Sequence, residues 1–314
     1  MWWRPDDDIP VHAVDTPDGW RLPVREYPGP GGKGTIYLQH GLGASQKNFD
    51  LHPHGPSLAR WLAARGWRVF TGDLRGRAAG PSRTWRFSDY LLRDMPALCG
   101  FVRKRAGERV HLIGHSMGGI LGLSHAGLDA GAQLASVTSL GSALHFGLGS
   151  NAFSQLLPLR PLISWLPGIP NVLAHRLLGP LWALKLLPSW HYRRANMDIP
   201  SLLAFHAHAA SDISIAELLE LASTFSGEGI LCEELGRRLP EIAAKLPVPW
   251  LCVAGELDSQ CPPVLAEWTY QKLTAPRKQW LLCKQYGHYD LAGGRDAARD
   301  VWPQVESFVQ SVPA

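Results

Sequence analysis

The stretch VHLIGHSMGGILGLSHA, residues 110–126, constrains this chain more than any other. Val110, Leu112 and Ile113 have the character of a buried strand. They run straight into Gly114, His115, Ser116, Met117, Gly118 and Gly119, after which a helical pattern begins. A strand-to-helix turn this abrupt leaves no room for side chains two positions either side of its apex. Gly114 and Gly118 meet that condition around Ser116. The resulting G-x-S-x-G pattern lifts a serine hydroxyl onto a strained turn and aims a helix N-terminus at it. The backbone N–H of Met117 is then free to stabilise an oxyanion.

A serine is inert at neutral pH unless a base removes its proton, and the usual base is a histidine oriented by a carboxylate. VAGELDSQCPP ends an apolar run with Asp258, and CKQYGHYDLAGG ends another with His288. Both groups would stand at the C-terminal edge of a sheet. In YLQHGLGAS, His40 and Gly41 follow an early strand, so the N–H of Leu42 can supply a second oxyanion donor.

Around these motifs the chain alternates strands with helices. VHAVDTPDGWRLPVREYP reads as a hairpin about Asp18-Gly19. Further strands are expected at 35–41, 67–73, in RVHLIGHS, in LASVTSLGS, in PVPWLCVAGELD and in RKQWLLCKQYGH. Helices are expected in PSLARWLAARG, from Gly118 to about Leu128, and from Asp296 to Val309. SDYLLRDMPALCGFVRKRAG is also helical in spacing, with Pro96 marking a kink or a start. This rhythm predicts an α/β fold, a mostly parallel sheet covered on both faces. Residues 142–245 break the rhythm: they are rich in leucine, proline and tryptophan and lack clear strands. They read as a helical insertion over one end of the sheet, with Ser214 and Glu217 as a capping box. An apolar inner face on NVLAHRLLGPLWALKLL would make a greasy pocket over Ser116.

With H-G-L-G, GDLRGR, G-H-S-M-G-G, G-E-L-D-x-x-x-P and G-H-Y-D in place, residues 30–141 and 246–311 resemble the α/β-hydrolase superfamily. The resemblance implies an eight-stranded, mostly parallel sheet. It divides the chain into a core of 1–141 and 246–314 and a helical cap or lid of 142–245. It also implies Ser116 as nucleophile, Asp258 as orienting acid and His288 as base, in the chain order that fold uses. HGLGASQKNFD and GHYDLAGG are similar to stretches of acid lipases and polyhydroxyalkanoate synthases, the latter carrying cysteine where this chain has Ser116. Dehalogenases and epoxide hydrolases of the same fold use aspartate there.

Other candidates read as structural. Asp73 in TGDLRGR also ends a strand, beside Arg75, whose expected role is local pairing. Asp290 is placed to fix the His288 loop, and His115 to pack. His52 with His54, and His206 with His208, lack the third and fourth converging ligands of a zinc site, so no metal is expected. A net charge of +4 without a Lys/Arg block argues against a nucleic-acid partner. Cys99, Cys232, Cys252, Cys261 and Cys283 are odd in number and form no C-x-x-C pair, which suits reduced thiols in the cytoplasm. MWWRPDDDIP is too acidic for a signal peptide, and no charge-free apolar run reaches a membrane span. The expected activity is hydrolysis of a lipophilic, small-molecule carboxylic ester through an acyl-enzyme, without a cofactor. An acyltransferase or thioesterase using the same acyl-enzyme, and a slow-turnover ligand receptor on the same fold, stay open beside it.

Overall fold

Strands that are buried on both faces are largely apolar, and four adjacent strands in the middle of this sheet are buried at every residue, with only scattered polar side chains among them. The structure is a computed structural model that describes residues 9–27, 29–51, 55–76, 84–128, 133–166, 168–184 and 186–314. Its strands are β1 (Val11–Asp15), β2 (Arg21–Tyr27), β3 (Thr35–Gln39), β4 (Arg68–Gly72), β5 (Val110–His115) and β6 (Leu134–Leu140). After a two-residue ladder, β7 (Leu231–Cys232) against β8 (Arg237–Arg238), come β9 (Trp250–Gly255) and β10 (Lys278–Cys283). Eight of them form one sheet in the order β1-β2-β4-β3-β5-β6-β9-β10. β2 runs antiparallel to both its neighbours and every other pairing is parallel. β3, β5, β6 and β9 are buried throughout, whereas the edge strands β1 and β10 are partly exposed.

Alternate side chains of these strands feed two separate cores. On one face Tyr37, Leu112, Val137 and Trp250 meet Leu98 and Leu121 of the Met95–Ala106 and Met117–Leu128 helices. On the other, Ile36, Ile113, Leu251 and Val253 meet Leu62 and Val305 of the Leu58–Ala64 and Trp302–Gln310 helices. The expected strands, hairpin and flanking helices therefore stand close to where they were read. Pro96 sits at the start of the Met95–Ala106 helix, directly after a π-turn at Tyr90–Asp94. A proline has no N–H to close the ordinary turn.

The described residues of 142–245 add no strand to the main sheet. Their helices are Arg160–Ile163, Asn171–Ala183, Ile199–His208, Ile215–Leu221 and Leu239–Ile242. The expected capping box is not formed. Ser214 occupies the N-cap position, but its hydroxyl accepts the Trp85 N–H (3.3 Å) instead of capping its own helix. Glu217 turns into the core, where one carboxyl oxygen accepts the Trp85 indole N–H (3.0 Å) and the Tyr90 hydroxyl (3.2 Å). Glu220 accepts the N–H groups of Ser88 (2.9 Å) and Glu233 (2.8 Å). Two buried carboxyl groups thus tether the Ile215–Leu221 helix to the segment 85–90.

Burial pushes the Glu217 carboxyl up to about 8, from an ordinary value of 4.5. Between these two values the folded chain holds a proton that the unfolded chain has released. The stability from this group is complete below pH 4.5 and is lost as the pH rises to about 8. Glu217→Gln keeps both acceptor bonds and removes the titration. Its urea midpoint is expected to fall less than the parent's between pH 5 and 8, and parallel pH profiles would contradict this.

Candidate active site

The strand-to-helix turn after β5 is as tight as its glycines imply. Ser116 has φ of 56°, in the left-handed region that costs a side-chain-bearing residue strain. A Cβ on Gly114 would lie 2.3 Å from the Gly118 carbonyl, and one on Gly118 would lie 2.1 Å from the Gln39 carbonyl oxygen. Neither position admits any other residue without moving backbone. The turn is pinned by the Ser116 N–H to the Leu140 carbonyl (2.8 Å) and closed by the N–H groups of Gly119 and Ile120 on the Ser116 carbonyl (2.9 and 3.2 Å). Residues 110–120 are buried except Ser116, which is half-buried.

Asp258 and His288 arrive from the ends of β9 and β10 and meet. The His288 Nδ1 lies 2.7 Å from the Asp258 Oδ2, with both side chains buried. The N–H groups of Gln260 and Cys261 donate to the other Asp258 oxygen (2.8 Å each), so the carboxylate has one oxygen left to orient the imidazole. Asp290 accepts from the Gly287 N–H (2.8 Å) and the Arg193 N–H (3.2 Å), holding the loop that carries His288. The His115 ring packs on His288 at 4.8 Å, and burial keeps His115 neutral by driving its basicity far down.

The β3 loop closes over the same point. A Cβ on Gly41 would sit 2.8 Å from the Ser116 Cβ, so the backbone leading to Leu42 lies directly on the serine. His40 shapes that loop: its Nδ1 lies 2.9 Å from the Gly41 carbonyl while its Nε2 accepts the Leu74 N–H (3.2 Å). Leu42, Ser116 and Met117 line one cavity of about 140 Å³. Its other walls are almost wholly apolar, from Ile120, Phe146, Phe153, Leu218 and Phe225, with Arg160 at its edge.

A model of the α/β-hydrolase fold family matches residues 34–294. The chain belongs to that family. Among curated proteins, this hydrolase is 23% identical to lipase member N of Mus musculus, over 95% of its own length and 86% of the relative's. It is 33% identical to the gastric triacylglycerol lipase of Rattus norvegicus, but that match spans 35% of this chain and 33% of the relative. Among solved structures it is similar to a monoacylglycerol lipase of Paleococcus ferrophilus (TM-score 0.62, 17% identity, covering 93% of this chain and 99% of that one). It is also similar to an esterase of Exiguobacterium antarcticum (TM-score 0.63, 16% identity, covering 95% and 98%).

The remaining sequence candidates fall elsewhere in the hydrolase. Asp73 accepts from the Gln46 backbone N–H (2.7 Å) and side-chain amide (3.0 Å), and thereby braces the β3 loop. Arg75 pairs with Asp18 (2.6 Å) and Asp94 (2.8 Å) rather than with Asp73. His206 is buried against the Tyr192 hydroxyl (2.9 Å) and His175 (3.3 Å), while His208 is exposed. His52 and His54 lie outside the described residues. All five cysteines are buried and none forms a disulfide among the described residues, and no described helix is long and apolar enough to cross a membrane.

Two contributors escaped the sequence reading. Gly141 has φ of 59°, and a Cβ there would stand 3.0 Å from the Asp258 Oδ2 and 3.1 Å from the His288 Nδ1. Ser142 donates its hydroxyl to the Ser116 carbonyl (2.8 Å). Their signal was the L-G-S ending of LASVTSLGS, a glycine at the same sheet edge as the other motifs.

The clash geometry predicts opposite outcomes for two Gly→Ala changes. Gly118→Ala must displace the end of β3 and is expected to cost about 3 kcal/mol or more by urea unfolding. Gly100→Ala, within the Met95–Ala106 helix, meets nothing nearer than the Gln133 amide at 3.8 Å. It is expected to be neutral or to stabilise by up to about 1 kcal/mol. Equal midpoints for the two variants would refute the close approach.

Proposed function

We propose that this α/β-hydrolase cleaves lipophilic carboxylic esters through a covalent acyl-enzyme. Ser116 is the nucleophile, His288 the general base and then acid, and Asp258 the group that holds the imidazole tautomer. The observation that carries this reading is the 2.7 Å contact between His288 and Asp258, with His288 packed at 4.8 Å on the ring of His115, the residue before a serine held at positive φ. With Nδ1–H engaged by Asp258, the Nε2 lone pair is the one left to take the serine proton. The same nitrogen then protonates the departing alkoxide, and on the return half-cycle it activates water. The N–H groups of Leu42 and Met117 receive the negative charge of the tetrahedral intermediate. All of this chemistry is supplied by side chains and backbone of this chain, so the mechanism calls for no cofactor.

The substrate class rests on the cavity. Its apolar walls come largely from residues 146–157 and 218–225, so we take the 142–245 segment as a cap over the site. An apolar cavity of roughly 150 Å³ holds benzene, which matches an acyl chain of about six carbons. Each methylene buried adds about 0.8 kcal/mol. The lipase names among the relatives support the same substrate class. Five buried cysteines that form no disulfide support the cytoplasm as its compartment.

Ser116→Ala is expected to fold normally and to lose several powers of ten in p-nitrophenyl ester hydrolysis, together with all fluorophosphonate labelling. Asp258→Asn, which offers the imidazole an amide instead of a carboxylate, is expected to lose about 10⁴ in kcat. Asp73→Asn leaves the His288 contact intact and is expected to be far milder. Activity of Ser116→Ala near the parent rate would overturn the nucleophile. Across a series of acyl esters, kcat/KM is expected to rise from acetate to about hexanoate or octanoate. A steady fall beyond acetate would overturn the lipophilic substrate class and leave the triad standing.

A further inference from the structure

The leucines of the Asn171–Ala183 helix do not line the pocket in the way its composition suggests; those of the 142–245 segment that do are Leu156, Leu157, Leu218, Leu219 and Leu221. In the Asn171–Ala183 helix the buried positions are His175, Gly179 and Ala183, one narrow stripe at i, i+4 and i+8. That stripe packs on the Ile199–His208 helix so closely that a Cβ on Gly179 would touch His206 at 2.4 Å. Leu173, Leu177 and Leu181 stand on the opposite side and face solvent, Leu177 at 66% exposure. The preceding segment does the same with Leu162 (68%) and Trp165 (88%). Twelve of the nineteen large exposed apolar side chains among the described residues fall between Leu156 and Trp190.

The charge of this segment is one-sided. From residue 130 to residue 197 the chain contains no Asp or Glu, yet it carries Arg160, Arg176, Lys185, Arg193 and Arg194. Arg160 and Arg176 are exposed, and Arg176 borders the leucine face of its helix. Asp212, from outside this stretch, caps the start of the helix at the Val172 N–H (3.0 Å), and no acid lies on the helix itself. An apolar helical face flanked by cations is the composition of a helix that lies in the interface of an anionic bilayer. A protein partner of ordinary surface would be met equally well by mixed charges; an acid-free segment is matched by a surface of one sign.

The geometry points to docking of this face on an anionic lipid bilayer, with the leucines of the Asn171–Ala183 helix entering the headgroup boundary and Arg160 and Arg176 meeting lipid phosphates. The helix begins beside the site: the Asn171 amide donates to the Gly43 carbonyl (3.0 Å), one residue beyond Leu42 of the cavity wall. Arg160 belongs both to the basic segment and to the cavity edge. The start of the docked helix and the cavity wall are therefore neighbours, which sets the cavity close to the bilayer surface. Docking itself needs no turnover and stands apart from the hydrolase reading.

The test is co-sedimentation with vesicles of pure phosphatidylcholine and of phosphatidylcholine containing one-third phosphatidylglycerol. The parent is expected to pellet with the anionic vesicles, less with the neutral ones, and less again as salt is raised. Leu177→Glu/Leu181→Glu is expected to lower partitioning about tenfold or more while hydrolysis of a water-soluble ester stays at the parent rate. If that pair fails to fold, Leu177→Gln serves as the milder probe. Arg176→Glu is expected to remove the preference for anionic vesicles. Ser116→Ala is expected to bind as the parent does, which separates failure of docking from failure of the ester-hydrolase reading. A parent that ignores both vesicle types, or a leucine variant that binds like the parent, overturns the proposal. So does a parent dimer that the leucine variant dissociates without any vesicle binding, since the face then belongs to a second copy.

Discussion

Everything at the centre of this molecule depends on how closely the β5 turn approaches the end of β3. Gly118 sits so near the Gln39 and His40 carbonyls that a single methyl group would separate them. That approach presses the Gly41–Leu42 backbone onto Ser116 and brings the start of the Met117–Leu128 helix alongside it. The left-handed conformation at Ser116 is the strain that results. It persists because bonds to Leu140, Ser142, Gly119 and Ile120 hold the turn from several sides. The closeness of the Gly41 backbone to Ser116 is a consequence of that packing rather than of any particular side chain.

Around this turn the sheet edge collects contributions from β3, β6, β9 and β10. Buried polar groups then fix each one: Asp73 braces the β3 loop, Gly141 makes room for the His288–Asp258 pair, and Asp290 holds the loop before the histidine. The buried carboxyl groups of Glu217 and Glu220 extend the same logic to the helical segment. Such groups are costly to bury unless bonded, so each helps select one arrangement of loops that apolar packing alone would leave loose.

The outward leucines carry the opposite message. Composition marks residues 142–245 as apolar, and an apolar stretch is ordinarily assigned to a core. In the Asn171–Ala183 helix it is a histidine, a glycine and an alanine that face inward, because Tyr192, Phe205 and His206 fill the space behind them. The cavity wall comes instead from the segments around Phe153 and Phe225.

The sequence by itself determined the alternation of strands and helices, the elbow at Ser116, and the pairing of Asp258 with His288. These are written in short motifs, where a glycine or a strand end has a meaning set by local sterics. Only the tertiary structure decided that Glu217 anchors a helix instead of capping it, that Arg75 pairs with Asp18 and Asp94, that Gly141 borders the Asp258–His288 pair, and that the leucines of the Asn171–Ala183 helix face out. Each of these turns on a contact between segments far apart in the chain. Local pattern says that a residue is apolar or charged; the segment packed against it decides which way it faces and what it touches.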